Sequence, residues 1–290
     1  MKPEVISSGE LELEVYPSIG GSIGRFSAFG QDIFRHPKSG EAAKNEPGLM
    51  GAFPMVPYCN RIDKGRFLFN GQQIQLEKNF DKERNSIHGI GWKREWFVQF
   101  SSRDNLRIFY EHDGNDWPWR FSCEQYFRLE PDRLFYELSI VNLDSSEMPV
   151  GLGLHPFFPA SGQARVRGLF NGFWNCDDQG LPYRFSLLDE PDPLSGNLTM
   201  AEVELDHIYV GSRSDVKVSW DNRPYALTIL SPDHAYAHVV YSPAQKDFFC
   251  IEPVSHLPNV INMDQSFGSM NRLKPAESFS LRIVFIVSEE

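Results

Sequence analysis

The sequence predicts an all-β protein in which two large antiparallel sheets stack face to face. Three observations carry this reading. Apolar and polar residues alternate at period two over several segments. Turn-forming residues separate those segments. No stretch of three helical turns or more carries an amphipathic pattern. The 20 prolines and 22 glycines are spread along the chain, as many short strands joined by turns require.

The elements follow in chain order. Residues 10–16 place Leu11, Leu13 and Val15 on one face and Glu10, Glu12 and Glu14 on the other, the pattern of a half-buried strand. Phe67, Leu68 and Phe69, then Asn70-Gly71, then residues 72–76 spell a hairpin, because Asn-Gly suits a two-residue turn with positive φ. Residues 120–127 and 134–141 form a longer hairpin around Glu130-Pro131-Asp132-Arg133. Residues 278–287 read as a further strand, central in its sheet. The longest loop-like stretches, 38–48 and 188–199, are expected at the rim of the sandwich. No repeat of fixed period points to a propeller. No Gly-, Ser- or charge-rich linker divides the chain, so one domain is expected over residues 1–290.

Composition bounds the function. With 41% hydrophobic residues and 23 phenylalanines there is ample material for a core between sheets. A formal net charge of −11 disfavours nucleic acid and anionic membranes as partners. The N-terminus lacks the basic-then-apolar run of a signal peptide, and no apolar stretch is long enough to span a bilayer. The sequon at Asn197 therefore carries little weight. Cys59, Cys123, Cys176 and Cys250 form no C-x-x-C pair, so reduced thiols in a cytoplasmic protein are expected.

Four segments hold polar groups that packing does not explain. In Pro57-Tyr58-Cys59-Asn60-Arg61, an arginine after an Asn turn and two nearby prolines reads as an aimed guanidinium, suited to hydroxyl or carboxylate oxygens. In His88-Gly89-Ile90-Gly91-Trp92, the histidine beside glycines can approach a ligand closely, although a satisfied turn histidine has the same look. His155 follows Gly151-Leu152-Gly153-Leu154 and precedes Pro156-Phe157-Phe158, an apolar setting that is costly for histidine without a hydrogen bond. Glu252 ends the apolar run Phe248-Phe249-Cys250-Ile251, where a carboxylate is expensive without a partner. A histidine and a carboxylate held at one cleft make an acid/base pair. Each of these residues also has a purely structural explanation.

Other patterns carry less. His234 and His238 have metal-ligand spacing for a helix, but the residues around them look like strand. Gly20-Gly21-Ser22-Ile23-Gly24 matches a nucleophile-elbow pattern, yet strand and turn follow it rather than helix, so a glycine turn is expected. No phosphate-binding loop or dinucleotide fingerprint is present.

Taken in order, these segments resemble the aldose 1-epimerase (galactose mutarotase) family over most of the chain. The resemblance rests on Gly20-Gly21-Ser22-Ile23, Asn60-Arg61-Ile62, His88-Gly89, Gly153-Leu154-His155-Pro156-Phe157-Phe158, Leu205-Asp206-His207-Ile208-Tyr209 and Cys250-Ile251-Glu252-Pro253. Pro159 departs from the Asn found there in the galactose enzymes, which leaves the preferred sugar open. The resemblance implies a galactose mutarotase-like supersandwich, a large antiparallel β-sandwich with a sugar groove. It implies Glu252 as general base on the C1 hydroxyl and His155 as general acid on the ring oxygen, the two facing each other and bracketing a pyranose. It implies Arg61, His88 and Asp206 as binders of sugar hydroxyls, with no metal or cofactor. The partner would be a small-molecule sugar, and the chain a monomer or homodimer. Two alternatives are a hexose 6-phosphate epimerase, drawing on Arg66, Lys93, Arg94 or Arg120, and a non-catalytic carbohydrate-binding sandwich.

Overall fold

Alternation in sequence becomes alternation in burial. In the strands Arg120–Glu130, Arg133–Asn142 and Ser278–Glu289 every second side chain is buried and the intervening ones reach solvent. Their register stacks the buried set in rows, with Leu138 opposite Leu281, Tyr136 opposite Ile283 and Leu134 opposite Phe285. A slip of one residue would turn all of these apolar groups outward, so the pattern fixes the pairing. This is a computed structural model, and it describes residues 2–289 apart from 39, 41–43, 162, 189–193, 212–214, 234 and 245.

Among the described residues the strands form two large antiparallel sheets, one of eleven strands and one of nine. Ser278–Glu289 is the fifth strand in the order of the nine-stranded sheet, as central as the sequence predicted. The only helical turns among the described residues are three-residue 3₁₀ segments. Arg66–Phe69 and Gln72–Gln75 form the expected hairpin, with Asn70 and Gly71 at φ of 49° and 80°. The Gly20-Gly21 pair is a left-handed turn, φ 62° and 61°, leading into the strand Ser22–Ala28. It is a glycine turn and not a nucleophile elbow.

One correction concerns the stretch 188–199. Its last part, Ser195–Thr199, is a strand paired with Arg165–Gly168 at the edge of the nine-stranded sheet. An edge strand bonds on one side only, and this one shows no clean alternation of burial, so its sequence had no period-two signal to read.

The two sheets share one continuous apolar cluster. Phe34 joins them, its ring 5.3 Å from Phe158 of the larger sheet and 5.2 Å from Phe285 of the smaller. A buried polar link does the same. Gln125 donates to the Gly21 carbonyl at 3.0 Å and accepts from the Tyr136 hydroxyl at 3.0 Å, so both ends of a buried amide are satisfied.

Candidate active site

The strands Gly153–Pro159 and Phe248–Val254 lie side by side near the middle of the eleven-stranded sheet. Both are buried along nearly their whole length. Period two decides which side chain faces where. Phe158 stacks on Phe249 at 5.4 Å and meets Phe34, so this side of both strands faces the core. His155, Phe157, Cys250 and Glu252 therefore point to the opposite face. Register then sets two parallel rows on that face. Phe53 pairs with His155, which stands opposite Glu252, which pairs with Val239. Two residues along, Phe157 pairs with Cys250, Cys250 with Tyr241, and Tyr241 with Asp206.

His155 Nε2 and Glu252 Oε1 are 3.2 Å apart. The expected arrangement, two groups facing each other with a sugar ring between them, is thus corrected. They are cross-strand neighbours on one floor, 8% and 2% exposed, with no room for a ring between them. Burial drives both toward their uncharged forms. It lowers the imidazole of His155 to about 3. It raises the Glu252 carboxyl well above the usual carboxylate range, with nearby Asp206 adding to the effect and Arg61 opposing it. Removing two charges from water outweighs their attraction unless other hydrogen bonds help, and Glu252 Oε2 and His155 Nδ1 have no partner. The resting pair therefore holds one proton, in its neutral form, with the ion pair one proton transfer away.

An aromatic column fixes the ring of His155. Phe53 stacks on it at 4.5 Å and Phe157 at 4.6 Å, and Trp92 continues the stack beyond Phe53 at 5.1 Å. His88 approaches edge-on, 5.1 Å between ring centroids. It is held in a left-handed conformation, φ 59°, with its N–H donating to the Asn60 carbonyl at 2.8 Å. Burial lowers its pKa well below the usual imidazole value, with His155 and Arg61 acting in the same direction.

Arg61 enters from the short strand Arg61–Ile62. Asn60, at φ 54°, caps the approach, its side-chain oxygen accepting from Arg61 N–H at 2.9 Å and from Nη1 at 3.2 Å. Glu83 takes the fork from the other side, accepting from Nη2 at 2.7 Å and Nε at 3.2 Å. A methyl group at Gly180 would stand 2.5 Å from Nη1, so that glycine leaves room for the guanidinium.

All five predicted residues, Arg61, His88, His155, Asp206 and Glu252, line one cleft of about 260 Å³. Past His88 and His155 it adjoins a wider groove lined by Trp92, Phe157 and Phe248. Sequence reasoning missed Glu83, Phe53 and Tyr241. Of the basic residues considered for a phosphate, Lys93 reaches the wider groove, while Arg66, Arg94 and Arg120 line neither cavity. Arg94 pairs with Asp116 and Arg66 donates to Gln75. His238 lies in the strand Ala237–Ser242, one residue out of phase with Val239 and Tyr241, so it faces away from the cleft. His234, its supposed metal partner, lies outside the described residues.

The sequence profile of the family described as aldose 1-epimerase matches residues 7–285. The uncharacterized protein YphB of Escherichia coli K12 is 30% identical over 293 residues, covering 97% of this chain and 98% of its own length. A crystal structure from Escherichia coli K12, provisionally assigned as an aldose 1-epimerase, superposes with a TM-score of 0.89 at 27% identity, covering 100% of this chain and 99% of that one. A galactose mutarotase-like protein of Clostridium acetobutylicum shares the fold with a TM-score of 0.88 at 22% identity, over 99% of this chain and 95% of its own.

Proposed function

Because the chain belongs to the aldose 1-epimerase family, we propose that it interconverts the α and β anomers of a free hexose by acid/base ring opening and reclosure. The observation that carries this reading is the 3.2 Å contact between His155 and Glu252 on the floor of a sugar-sized cleft.

The chemistry explains why acid and base stand side by side. The two oxygens that exchange protons, O1 and the ring oxygen O5, are both bonded to C1. A pair of adjacent groups can serve both at once. Glu252 as carboxylate takes the O1 proton while His155 as imidazolium gives a proton to O5. The electrons of the O1–H bond form the C1 carbonyl, and those of the C1–O5 bond go to the new O5–H bond. After rotation about C1–C2 the same steps run backwards on the other face of the aldehyde. The pair ends with the proton count it began with. A sugar hydroxyl donating to Glu252 favours its ionised form, and so draws the resting neutral pair toward the reactive ion pair. Each positioned proton transfer is worth roughly 10²–10⁴ in rate.

Arg61 and Asp206 line the cleft and His88 stands edge-on beside His155, which supports their role as holders of ring hydroxyls. Held hydroxyls aim O1 and O5 at the pair, which is where orientation contributes to the rate. Arg66, Arg94 and Arg120 line neither cavity, whereas Lys82 and Lys93 line the wider groove, so the choice between a free hexose and a hexose 6-phosphate falls to the assay. The test is mutarotation followed by polarimetry on freshly dissolved α-anomers of several hexoses, with glucose 6-phosphate in parallel. Acceleration on a free hexose is expected. Binding of sugars without any acceleration would replace this reading with that of a carbohydrate-binding sandwich.

A further inference from the structure

Cys250 takes no part in the proton transfers above, yet its sulfur stands beside the groups that do. One ligand atom each from His155, Cys250 and Glu252 lies within 4.8 Å of the others. The thiol is free and fully buried. We propose that these three side chains form a binding site for a thiophilic divalent cation, Zn²⁺ above all, and that filling it shuts off the proton relay. The inhibition rests on the function proposed above; the binding does not.

Geometry comes first. Zinc sits about 2.0–2.3 Å from nitrogen, oxygen and sulfur ligands, which puts the ligand atoms of a tetrahedral site about 3.3–3.7 Å apart. His155 Nε2 and Glu252 Oε1 already stand at 3.2 Å. The sulfur has to close by about 1 Å at most, within reach of a χ1 adjustment. Two central strands carry all three residues, so the backbone presents the site ready-made. His155 and Glu252 line the cleft of about 260 Å³, the side from which an exchangeable fourth ligand would come.

An independent sign of unused capacity lies in the hydrogen bonding. Glu252 is 2% exposed, and its Oε2 has no partner. A buried carboxylate oxygen left alone is uncommon and calls for an explanation. A cation on the carboxylate supplies one. Charge balance points the same way. Zn²⁺ with one carboxylate, one thiolate and one neutral imidazole carries no net charge, so the loaded site buries none. The ligands bind in their deprotonated forms, so loading releases protons to solvent. Sulfur beside imidazole selects zinc over the hard cations magnesium and calcium, which prefer oxygen. Once bound, the ion occupies the imidazole nitrogen and carboxylate that would carry protons to and from the sugar, so turnover and metal exclude one another.

The test adds Co²⁺ to the metal-free chain and records its spectrum. A thiolate-to-cobalt charge-transfer band with tetrahedral visible bands is expected, displaced by Zn²⁺ and untouched by Mg²⁺. Calorimetry in buffers of different ionisation heat should return net proton release on zinc binding. Cys250→Ser should lose the charge-transfer band and at least tenfold in Zn²⁺ affinity, roughly the loss seen when a metal site is perturbed. Glu252→Gln should weaken zinc as well, which keeps the test open if the serine variant does not fold. Zinc should inhibit mutarotation at the concentrations that displace cobalt. Absence of the cobalt band, or its persistence in Cys250→Ser, overturns the site. Full mutarotation with zinc bound overturns the inhibition. If no sugar is turned over at all, the cobalt spectrum still decides whether the site exists.

Discussion

Glu83 grips the guanidinium of Arg61 through two hydrogen bonds, 2.7 Å to Nη2 and 3.2 Å to Nε, in a pair that is 22% and 18% exposed respectively. Neither side chain is free to rotate without losing both bonds, and the donors left over are presented to the cleft. Glu83 therefore positions Arg61, which under the proposed function holds the sugar. Glu83→Gln keeps the size of the side chain but weakens a charge-assisted bidentate contact. KM for the sugar should rise about tenfold with a smaller change in kcat, the signature of lost binding rather than lost chemistry. Gly180→Ala should move KM the same way, because its methyl group would push on Nη1 from 2.5 Å. Steady-state kinetics of both variants check this; an unchanged KM in both would show that neither residue positions Arg61 for the sugar.

The catalytic pair makes a sharper prediction. Glu252→Gln should lower kcat by about 10²–10⁴ with little change in sugar affinity, and His155→Asn should do the same. Because the two groups share one proton across 3.2 Å, they act as a unit. The double variant should then be barely slower than either single one, far from the product of the two losses. Rates have to be read above the uncatalysed background, and a fully additive double variant would show that the groups work independently.

Particular residues show how far the sequence could be read. Strand alternation, the Asn70-Gly71 hairpin and the central position of Ser278–Glu289 were legible because each depends on a local period or turn. His155 and Glu252 were legible as titratable groups inside apolar runs. Their side-by-side contact was not, since it follows from the register of two strands about a hundred positions apart. Glu83 sits in Lys82-Glu83-Arg84, which looks like any solvated charge run, so nothing in the sequence marked it. Phe53 and Phe157 read as core, and burial does make them so; that they clamp a histidine is a property of the outer sheet face. Ser195–Thr199 escaped because an edge strand needs no alternation.

The pH profile follows from the directions of the two shifts. The one-proton form of the pair is lost at low pH when a second proton enters, and at high pH when the last one leaves. Burial pushes the first event from the ordinary imidazole value of 6.5 down toward about 3. It pushes the second well above the ordinary carboxylate value of 4.5. The pair titrates as a unit, so these limbs belong to both residues together. The acid limb of a plot of kcat/KM against pH should therefore lie well below 6.5. The ¹⁵N shifts of His155 in the sugar-free protein should report a neutral ring at that pH. An activity limb centred on the ordinary imidazole value would mean that His155 is not shielded in this way.

The same shifts predict that the active site weakens the fold. For Glu252 the folded pKa lies above the unfolded one, so the native state holds a proton that the unfolded chain has released. Its contribution is fully favourable below the unfolded value and is lost as pH rises through the folded value. For His155 the folded pKa lies below the unfolded one, so stability falls as pH drops from 6.5 toward about 3. Glu252→Gln removes the first of these penalties and leaves the second. The amide cannot ionise, and it can still donate to His155 Nε2 in place of the protonated carboxyl. The variant should match the wild type at pH below 4.5 and gain on it steadily as pH rises, before levelling off above the folded pKa. A gain of about 1.4 kcal/mol is expected for each pH unit between the unfolded and folded pKa values. In a protein of this size that amounts to a few degrees in Tm. Thermal melts of the two proteins across a pH series measure it. A difference in Tm that does not change with pH would mean that Glu252 ionises in the native state as easily as in the unfolded chain. The carboxylate would then be ready without the sugar, and the shared-proton account of the pair would have to be given up.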